Sequence, residues 1–249
     1  MTLLSVDRTL EVLEILTDRG DVGVSELATV LCVAPSTVHR ILETLEHRRF
    51  VVQDADSKRY MPGPRMSGMS DEIDLIAQSR GLVEWLGRST GMTVHLGILD
   101  GRDVRYLHHW VPQTKRALGS RVGARMQAHV TSAGKALLAA SPREKVVNIF
   151  PQSSLDRPTP AAIGDRLRLF EELQLVARTG YARNIEESEP GVVGFATAVS
   201  RRSQSVAVAV SAWLRDMPAE RGRVSESEKR VTDVLLHVSA GLEARFSRA

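Results

Sequence analysis

The chain has 249 residues, of which 43% are hydrophobic, and a formal net charge of +3 at pH 7. This length is enough for two domains, and the sequence has no apolar run long enough for a transmembrane helix. The N-terminus lacks the basic start and apolar core of a signal peptide, and the single cysteine, Cys32, excludes an internal disulfide. We therefore expect a cytoplasmic protein with no membrane partner.

The first predicted element is an amphipathic helix that ends at Gly20. Its apolar residues Val6, Leu10, Leu13 and Leu16 follow one another at intervals of three or four positions. That spacing places them on one helix face, which we expect to pack into the core of an N-terminal domain.

Two short helices separated by a tight break follow, between residues 25 and 48. Ser25 offers a capping hydroxyl to the first helix, and Pro35 suits the first position of the second. One side of the second helix is an apolar stripe and the other side is polar. The stripe consists of Val38, Ile41, Leu42 and Leu45, and the polar face consists of Ser36, Thr37, His39, Arg40 and Glu43. This arrangement predicts a helix-turn-helix that reads DNA.

A β-hairpin is predicted directly after the second helix, with strands at residues 50–53 and 58–61 around a turn at 54–57. Lys58 and Arg59 lie where the hairpin can touch phosphate. Together with the first helix, the hairpin predicts a winged helix-turn-helix over residues 1–64, ended by the Pro62-Gly63-Pro64 break. A small helical subdomain that binds no nucleic acid is the alternative.

Charge supports DNA binding by this domain only in part. Residues 1–65 contain eight lysines and arginines against ten acids, whereas residues 40–65 contain six basic residues against four acids. Few phosphate contacts per subunit are therefore expected, and a dimer or larger oligomer would multiply them.

A linker helix is predicted over residues 65–90. Met66, Met69, Ile73 and Ile76 are spaced three, four and three residues apart, as the a and d positions of a coiled coil are. The helix could pair with a second chain or lie on its own domain, and the short pattern leaves both open.

From Gly91 onward the pattern predicts an α+β domain over residues 91–249, with an antiparallel sheet and helices packed on it. Strands are expected at residues 93–99 and 104–108 around an Asp100-Gly101 turn, within 118–126, and at 181–185, 192–199 and 206–214. Helices are expected at 131–140, at 161–178 and from Ser225 onward. The apolar stripe of the 161–178 helix consists of Ile163, Leu167, Phe170 and Leu173.

Signatures of enzymes and metal sites are missing from the sequence. The Ala133-Gly134-Lys135-Ala136 run lacks the first glycine and the Ser or Thr of a phosphate loop. His108 and His109 are adjacent on a predicted strand, so they point to opposite faces and cannot easily share a metal. The acids Glu186, Glu187 and Glu189 are interpreted as a solvated loop. We predict no catalytic residue, no metal ligand and no cofactor.

A face of small residues on the 206–214 strand indicates empty space beside the sheet. Ala207, Ala209 and Ser211 alternate with valines and share one strand face. A ligand could fill the space, or a helix could pack closely there; the pattern favours neither.

Several motifs together resemble the IclR family of bacterial transcription regulators. They are residues 5–10, the helix at 36–45, the hairpin exit at 60–63, the run at 129–139, Gly180-Tyr181 and residues 187–199. The resemblance covers nearly the full chain and implies a winged helix-turn-helix, a linker helix and a GAF-like effector domain, assembled as a homodimer or tetramer. Arg49 and Ala198 depart from the family pattern, which usually has glycine and proline there.

The resulting hypothesis is a ligand-responsive regulator that represses a catabolic or metabolic operon, with double-stranded operator DNA and a small-molecule effector as partners. The DNA-binding residues are predicted to be Arg8, Ser36, Thr37, His39, Arg40, Lys58 and Arg59. Ala209 and Ser211 of the small-residue strand face are predicted to contact the effector, and the resemblance places further effector-binding residues near them: Met126, Ala128, Thr131, Ser132, Ala133, Asn184, Val192 and Gly194. A small organic acid or aromatic compound suits such a pocket, with Arg121 or Arg125 at the rim to hold one carboxylate. The alternative is a metabolic enzyme or ligand-binding protein with a vestigial helix-turn-helix.

Overall fold

The computed structural model describes residues 3–114, 116–201, 204–219 and 222–247, without the side chains of residues 69 and 70. The chain divides into two compact units, Met1–Leu75 and Ile76–Ala249. The elements of the first unit are α1 (Leu4–Arg19), α2 (Val24–Val30), α3 (Pro35–His47), β1 (Val51–Gln53) and β2 (Tyr60–Pro62). The division falls within α4 (Pro64–Thr90).

The predicted apolar face of α1 is confirmed at Leu13 and Leu16, which pack in the core of the first unit, and is wrong at Val6 and Leu10. Val12 and Leu16, one turn apart, are completely buried, while Val6 and Leu10 are exposed to 51% and 53%. The helix has apolar residues on more than one face, and its core contacts select the side that carries Val12. An apolar strip therefore remains on the surface of α1.

Helices α2 and α3 have the predicted tight connection, with one corrected cap. Helix α2 begins at Val24 after Gly23, and the Gly23 N–H donates to the Glu26 carboxylate at 3.2 Å. Ser25 therefore lies inside the helix and is not its N-cap. Helix α3 begins at Pro35, as predicted. Its stripe is also confirmed, with Val38, Leu42 and Leu45 buried and Ile41 half-buried.

The hairpin of β1 and β2 is shorter than predicted. The strands pair antiparallel with Val52 opposite Met61, and Val22 extends the ladder through two 2.9 Å hydrogen bonds with Tyr60. The returning strand begins at Tyr60, so Lys58 and Arg59 lie in the turn. Lys58 has a φ of +57°.

Helix α4 is the predicted linker helix in extent. Met66 packs against the core of the first unit, and Ile73 is 65% exposed. The side chain of Met69 lies outside the described residues. Ile73 is thus available for contact with a second chain, whereas Met66 packs within its own chain.

The second unit is built on a six-stranded antiparallel sheet with the strand order β5-β4-β3-β8-β7-β6. These strands are β3 (Thr93–Asp100), β4 (Asp103–Trp110), β5 (Arg125–Gln127), β6 (Ala182–Ile185), β7 (Val192–Arg201) and β8 (Gln204–Trp213). The hairpin predicted around Gly101 is confirmed. Of the strand expected within 118–126, only its end forms, as the start of the short edge strand β5.

Helices cover both faces of this sheet. They are α5 (Ser132–Ala139), α6 (Arg143–Ile149), α7 (Arg166–Thr179) and α8 (Glu226–Phe246), and a 3-10 turn at Ala128–Val130 precedes α5. Helices α5 and α7 share one core with Ala196 and Ala207 of the sheet. Arg201 points to the other face, where its guanidinium lies over Phe246 of α8. The predicted α+β class is confirmed.

Helix α7 starts later than its apolar pattern predicts. The Asp165 side chain accepts a hydrogen bond from the Arg168 N–H and caps the helix, so residues 161–164 precede it. Leu167 is 71% exposed, and the buried face carries Leu169 and Leu173 instead. The predicted stripe is therefore wrong at Leu167, because it assumes that the helix already includes Ile163.

The small-residue strand face meets both a helix and a cavity. Ala207 is completely buried in the core shared with α5. The close approach of α5 to the preceding turn requires Gly134, because a Cβ there would lie 2.2 Å from the Ala128 carbonyl oxygen. Ala209 and Ser211, further along β8, border an open space. Helix packing therefore accounts for Ala207, whereas Ala209 and Ser211 border a cavity, where the ligand alternative stays a prediction.

Candidate nucleic-acid interface and ligand cavity

The polar side of α3 forms the exposed surface of the first unit that the sequence predicts to contact DNA. Ser36, His39 and Arg40 are exposed, and Thr37 is half-buried. A surface groove lies between this helix and the start of α1, with Arg8 and Arg40 among its walls. Within the described ranges, no carboxylate forms an ion pair with Arg40. Its charge is therefore available to a partner.

The two basic residues of the wing turn have different surroundings. The Arg59 guanidinium contacts the carboxylates of Asp21 and Glu26, at 2.9 Å each. These contacts raise the pKa of Arg59 and lower the pKa of the Glu26 carboxyl. Lys58 has no ion pair in the part of the chain that the structure describes. Arg59 thus ties the wing to the loop and helix before it, and Lys58 carries the free charge.

Asp54 shapes the turn that carries Lys58. Its carboxylate accepts hydrogen bonds from the Ser57 N–H at 2.8 Å and the Ser57 hydroxyl at 2.7 Å. These bonds lower the pKa of Asp54. An aspartate that bonds to the backbone two or three residues on is typical of tight turns.

A small cavity of about 40 Å³ lies against the sheet of the second unit. Asn184, Gly194 and Ser211 lie opposite one another on β6, β7 and β8 and form one row of its wall. His95 and Ala209 form the adjacent row. The full lining is His95, Tyr106, Leu118, Gly119, Arg121, Met126, Thr131, Ser132, Asn184, Ser188, Val192, Gly194, Ala209 and Ser211.

The predicted effector residues all line this cavity except Ala128 and Ala133, for which the prediction is corrected. Ala128 of the 3-10 turn and Ala133 of α5 are both buried in the core, where the turn packs closely on α5 at Gly134. Sequence reasoning missed five lining residues, which are His95, Tyr106, Leu118, Gly119 and Ser188. Alternation on the predicted strands gives the faces of His95 and Tyr106, but it does not tell which face borders a cavity.

Neither ring side chain of the cavity is charged at neutral pH, and burial moves both pKa values further from neutrality. It lowers the pKa of His95 to about 3 and raises the pKa of Tyr106 to about 12. The rings lie 5.0 Å apart, centroid to centroid. The backbone N–H of Arg121 donates a hydrogen bond to Nε2 of His95 at 3.0 Å. Nε2 must therefore carry no proton. The cavity therefore offers hydroxyls, an amide and neutral rings.

Arg121 is the one ionised side chain in this lining, as far as the described residues go. Its guanidinium pairs with Glu189 at 2.6 Å, and both side chains are about one-third exposed, at 34% and 35%. Arg125, the other predicted rim residue, pairs with Asp100 at 2.7 Å and does not line the cavity. The rim position therefore belongs to Arg121.

A buried ion pair lies behind the cavity wall, where the sequence predicts a solvated acidic loop. Nζ of Lys135, which is completely buried, donates to both Glu187 carboxylate oxygens at 2.8 and 2.9 Å and to Glu172 at 3.1 Å. The Glu187 side chain is only 8% exposed. The solvated-loop interpretation is therefore wrong for Glu187. The ion pair joins α5 to the segment after β6, and no pattern of neighbouring residues in the sequence indicates a contact between two such distant segments.

Metal sites and membrane spans are absent from the ranges that the structure describes. Those ranges contain no group of three or more potential metal-ligating side chains. They also contain no helix that is both long and apolar enough to cross a membrane.

Comparisons with known proteins match both units. A model of the IclR helix-turn-helix domain matches residues 5–55, and a model of the bacterial transcriptional regulator IclR C-terminal domain matches residues 68–241. The HTH-type transcriptional regulator KdgR of Dickeya chrysanthemi is 30% identical over 240 residues, which cover 95% of this chain and 77% of that protein.

Solved structures also resemble the chain along its length. A putative IclR transcriptional regulator from Silicibacter sp. TM1040 has a TM-score of 0.65 at 25% sequence identity. The match covers 97% of this chain and 96% of the regulator's chain. An IclR homologue from Microbacterium hydrocarbonoxydans, complexed with 4-hydroxybenzoate, has a TM-score of 0.61 at 20% identity, with coverage of 98% and 100%. The second likeness shows the fold alone.

Proposed function

Because the chain belongs to the IclR family of bacterial transcriptional regulators, we propose that it represses a catabolic operon and releases operator DNA in response to a small effector. Its domain models and relatives are those of helix-turn-helix regulators, not of enzymes. The enzyme alternative therefore has no support.

The observation that carries the DNA-binding proposal is the unpaired polar face of α3. Ser36, His39 and Arg40 are exposed, and Arg8 and Thr37 border the same groove. Side chains of these types donate hydrogen bonds to base edges and phosphates. We propose that Lys58 contacts a DNA phosphate. For Arg59, which the sequence also predicts to bind phosphate, we propose instead that its ion pairs with Asp21 and Glu26 hold the wing in place.

Exposed apolar residues on the first unit support a homodimer. Leu3, Val6 and Leu10 follow at intervals of three and four and are 72%, 51% and 53% exposed. Contiguous exposed apolar surface is typical of protein–protein contacts. Two heads per dimer would double the few phosphate contacts that each can make.

The effector is proposed to occupy the cavity between Asn184, Ser211 and His95. Its hydroxyls, amide and single arginine suit a small organic acid. The 4-hydroxybenzoate held by the Microbacterium hydrocarbonoxydans homologue is a compound of this kind. The cavity volume of about 40 Å³ is below the usual range for ligand pockets, so the wall must yield for a compound of that size.

A gel shift with the DNA that flanks the chain's own gene tests the central part of this proposal. We expect a specific complex at protein concentrations at which random DNA of equal length stays free. Leu10→Glu places a charge on the apolar strip, and it should lower both the dimer fraction in light scattering and the operator affinity. Glu11→Gln, next to it on the same helix, is the matched control. Equal binding to both DNAs would contradict operator recognition.

A further inference from the structure

We propose that Glu189 occupies the carboxylate-binding position of Arg121, and that a monocarboxylate effector displaces it from there. The inference rests on the proposed effector function of the cavity. It assigns Arg121 as the residue that selects the effector's charge and Glu189 as a built-in competitor that sets the concentration at which the effector binds.

The charge of the cavity lining determines the class of ligand. Arg121 is the one ionised group among the lining residues described, and no carboxylate is among them. His95 is neutral because burial lowers its pKa to about 3, and Tyr106, which is neutral at pH 7 in any case, has its pKa raised by burial to about 12. A ligand with one carboxylate would therefore find one partner, and the second carboxylate of a diacid would be buried without one.

The backbone beside Arg121 is fixed in place by β3. The Thr93 hydroxyl donates to the Leu118 carbonyl at 2.7 Å, and the Arg121 N–H donates to His95 at 3.0 Å. Both bonds hold the 118–121 segment at the cavity mouth. The backbone of Arg121 is therefore held in place, and its guanidinium can exchange Glu189 for a ligand carboxylate by side-chain movement alone.

The segment that carries Glu189 is held in place at residues 184–188, whereas the Glu189 side chain can leave its ion pair. Asn184 accepts a hydrogen bond from the Glu187 N–H at 2.9 Å and donates to the Ser188 hydroxyl at 2.7 Å. Glu187 is anchored by buried Lys135. Glu189 makes its ion pair at the solvent boundary, where the carboxylate can rotate into water.

The relative strength of the two pairings favours exchange. An ion pair between partly exposed side chains is weak, because water solvates both partners well when they separate. A ligand carboxylate on the cavity side of Arg121 would make the same charge-assisted bonds with less competition from water. Hydroxyls of Ser132 and Ser211 and the Asn184 amide would hold the rest of the ligand.

Calorimetric titration of the full-length protein without DNA tests the exchange. The probes are acetate, pyruvate, lactate, benzoate and 4-hydroxybenzoate, each compared with its neutral amide, and malonate as a diacid. For each carboxylate that binds, Glu189→Gln should tighten binding about two- to fivefold, the value of an exposed ion pair. Arg121→Gln should weaken it about tenfold or more, as expected when charge-assisted hydrogen bonds are removed. Neither variant should change binding of the amides.

Arg125→Gln is the matched control, because Arg125 pairs with Asp100 and does not line the cavity. Thermal melts check that all variants remain folded. The inference is overturned if no monocarboxylate binds to wild type or Glu189→Gln, if Glu189→Gln binds carboxylates no more tightly than wild type does, if amides or malonate bind as well as the acids, or if Arg121→Gln binds carboxylates as wild type does. Operator binding in the gel shift would stand in each of those cases, so the two proposals fail separately.

Discussion

The two units of this chain place their charged side chains differently. In the first unit, Arg40 and Lys58 are exposed and form no ion pair within the described ranges, although the charge of Lys58 contributes to the lowered pKa of Asp54. In the second unit, Lys135 and Glu228 have no exposed surface, and each is held by an ion pair, with Glu187 and Arg183 respectively. A free surface charge is available to a polyanion such as DNA, whereas a buried paired charge fixes the arrangement of helices and strands. The comparison predicts that removal of an unpaired surface charge affects binding, whereas removal of a buried, paired charge affects stability.

Removal of the buried lysine should give the largest effect. Lys135→Met removes the buried ammonium group that pairs with the Glu187 carboxylate, and removal of one member of a buried ion pair typically costs about 3–5 kcal/mol of folding free energy. Urea denaturation should show this loss, and Lys135→Met combined with Glu187→Leu should recover most of it, because the buried carboxylate is then absent as well. Lys145→Met, at an exposed lysine, is the control. A Lys135→Met protein as stable as the control would show that the pair does not hold the fold.

Removal of Arg40 should act on binding alone. We expect Arg40→Ala to weaken operator binding by about 1–3 kcal/mol, the usual effect of removing a side chain that binds a base or phosphate, at an unchanged melting temperature. Gel shifts at matched salt measure the affinity. Arg88→Ala, at an exposed arginine paired with Glu84, is the control. Wild-type affinity in Arg40→Ala would remove α3 from the proposed interface.

The buried histidine of the cavity makes stability depend on pH. Burial lowers the pKa of His95 from 6.5 to about 3. Below pH 6.5 the unfolded chain binds a proton that the folded chain excludes, so stability falls as pH decreases from about 6.5 toward 3. Between pH 7 and 5.5, wild type should lose about 1 kcal/mol more than His95→Gln.

Urea midpoints at the two pH values measure this difference. Burial also lowers the pKa of His129 and His108, so the variant should keep a residual dependence of the same sign. His237→Gln, at an exposed histidine of α8, serves as the control and should follow wild type. Identical losses in wild type and His95→Gln would argue against a neutral His95 in the folded protein.

Sequence patterns predict those parts of this molecule that depend on neighbouring residues. The stripe of α3, the Pro35 start and the β3–β4 hairpin follow from local spacing and turn residues. Helix α1 has more than one apolar face, so periodicity alone could not tell that Val12 would be buried and Val6 exposed. Arg49 stands where the family usually has glycine, and its φ of +63° explains that preference, because glycine adopts this conformation without strain.

The candidate site was predictable only in part, for a related reason. Resemblance predicts Asn184 and Gly194, strand alternation predicts Ser211, and the sheet brings the three residues into one row. The pairing of Lys135 with Glu187 spans 52 positions, and that of Arg59 with Asp21 spans 38. Contacts between residues so far apart in sequence depend on the tertiary fold, and no periodicity or spacing within one element encodes them.

The wing offers the sharpest comparison, because a free charge and a paired charge are adjacent in it. The direct measurement is the slope of log operator affinity against log salt for wild type, Lys58→Ala and Arg59→Ala. If unpaired charges bind DNA and paired charges hold the fold, Lys58→Ala should make the slope shallower by about 0.9 for each phosphate that the variant no longer neutralises. Arg59→Ala should keep the wild-type slope and lower the melting temperature. An unchanged slope in Lys58→Ala, or an equal change in both variants, would contradict this account.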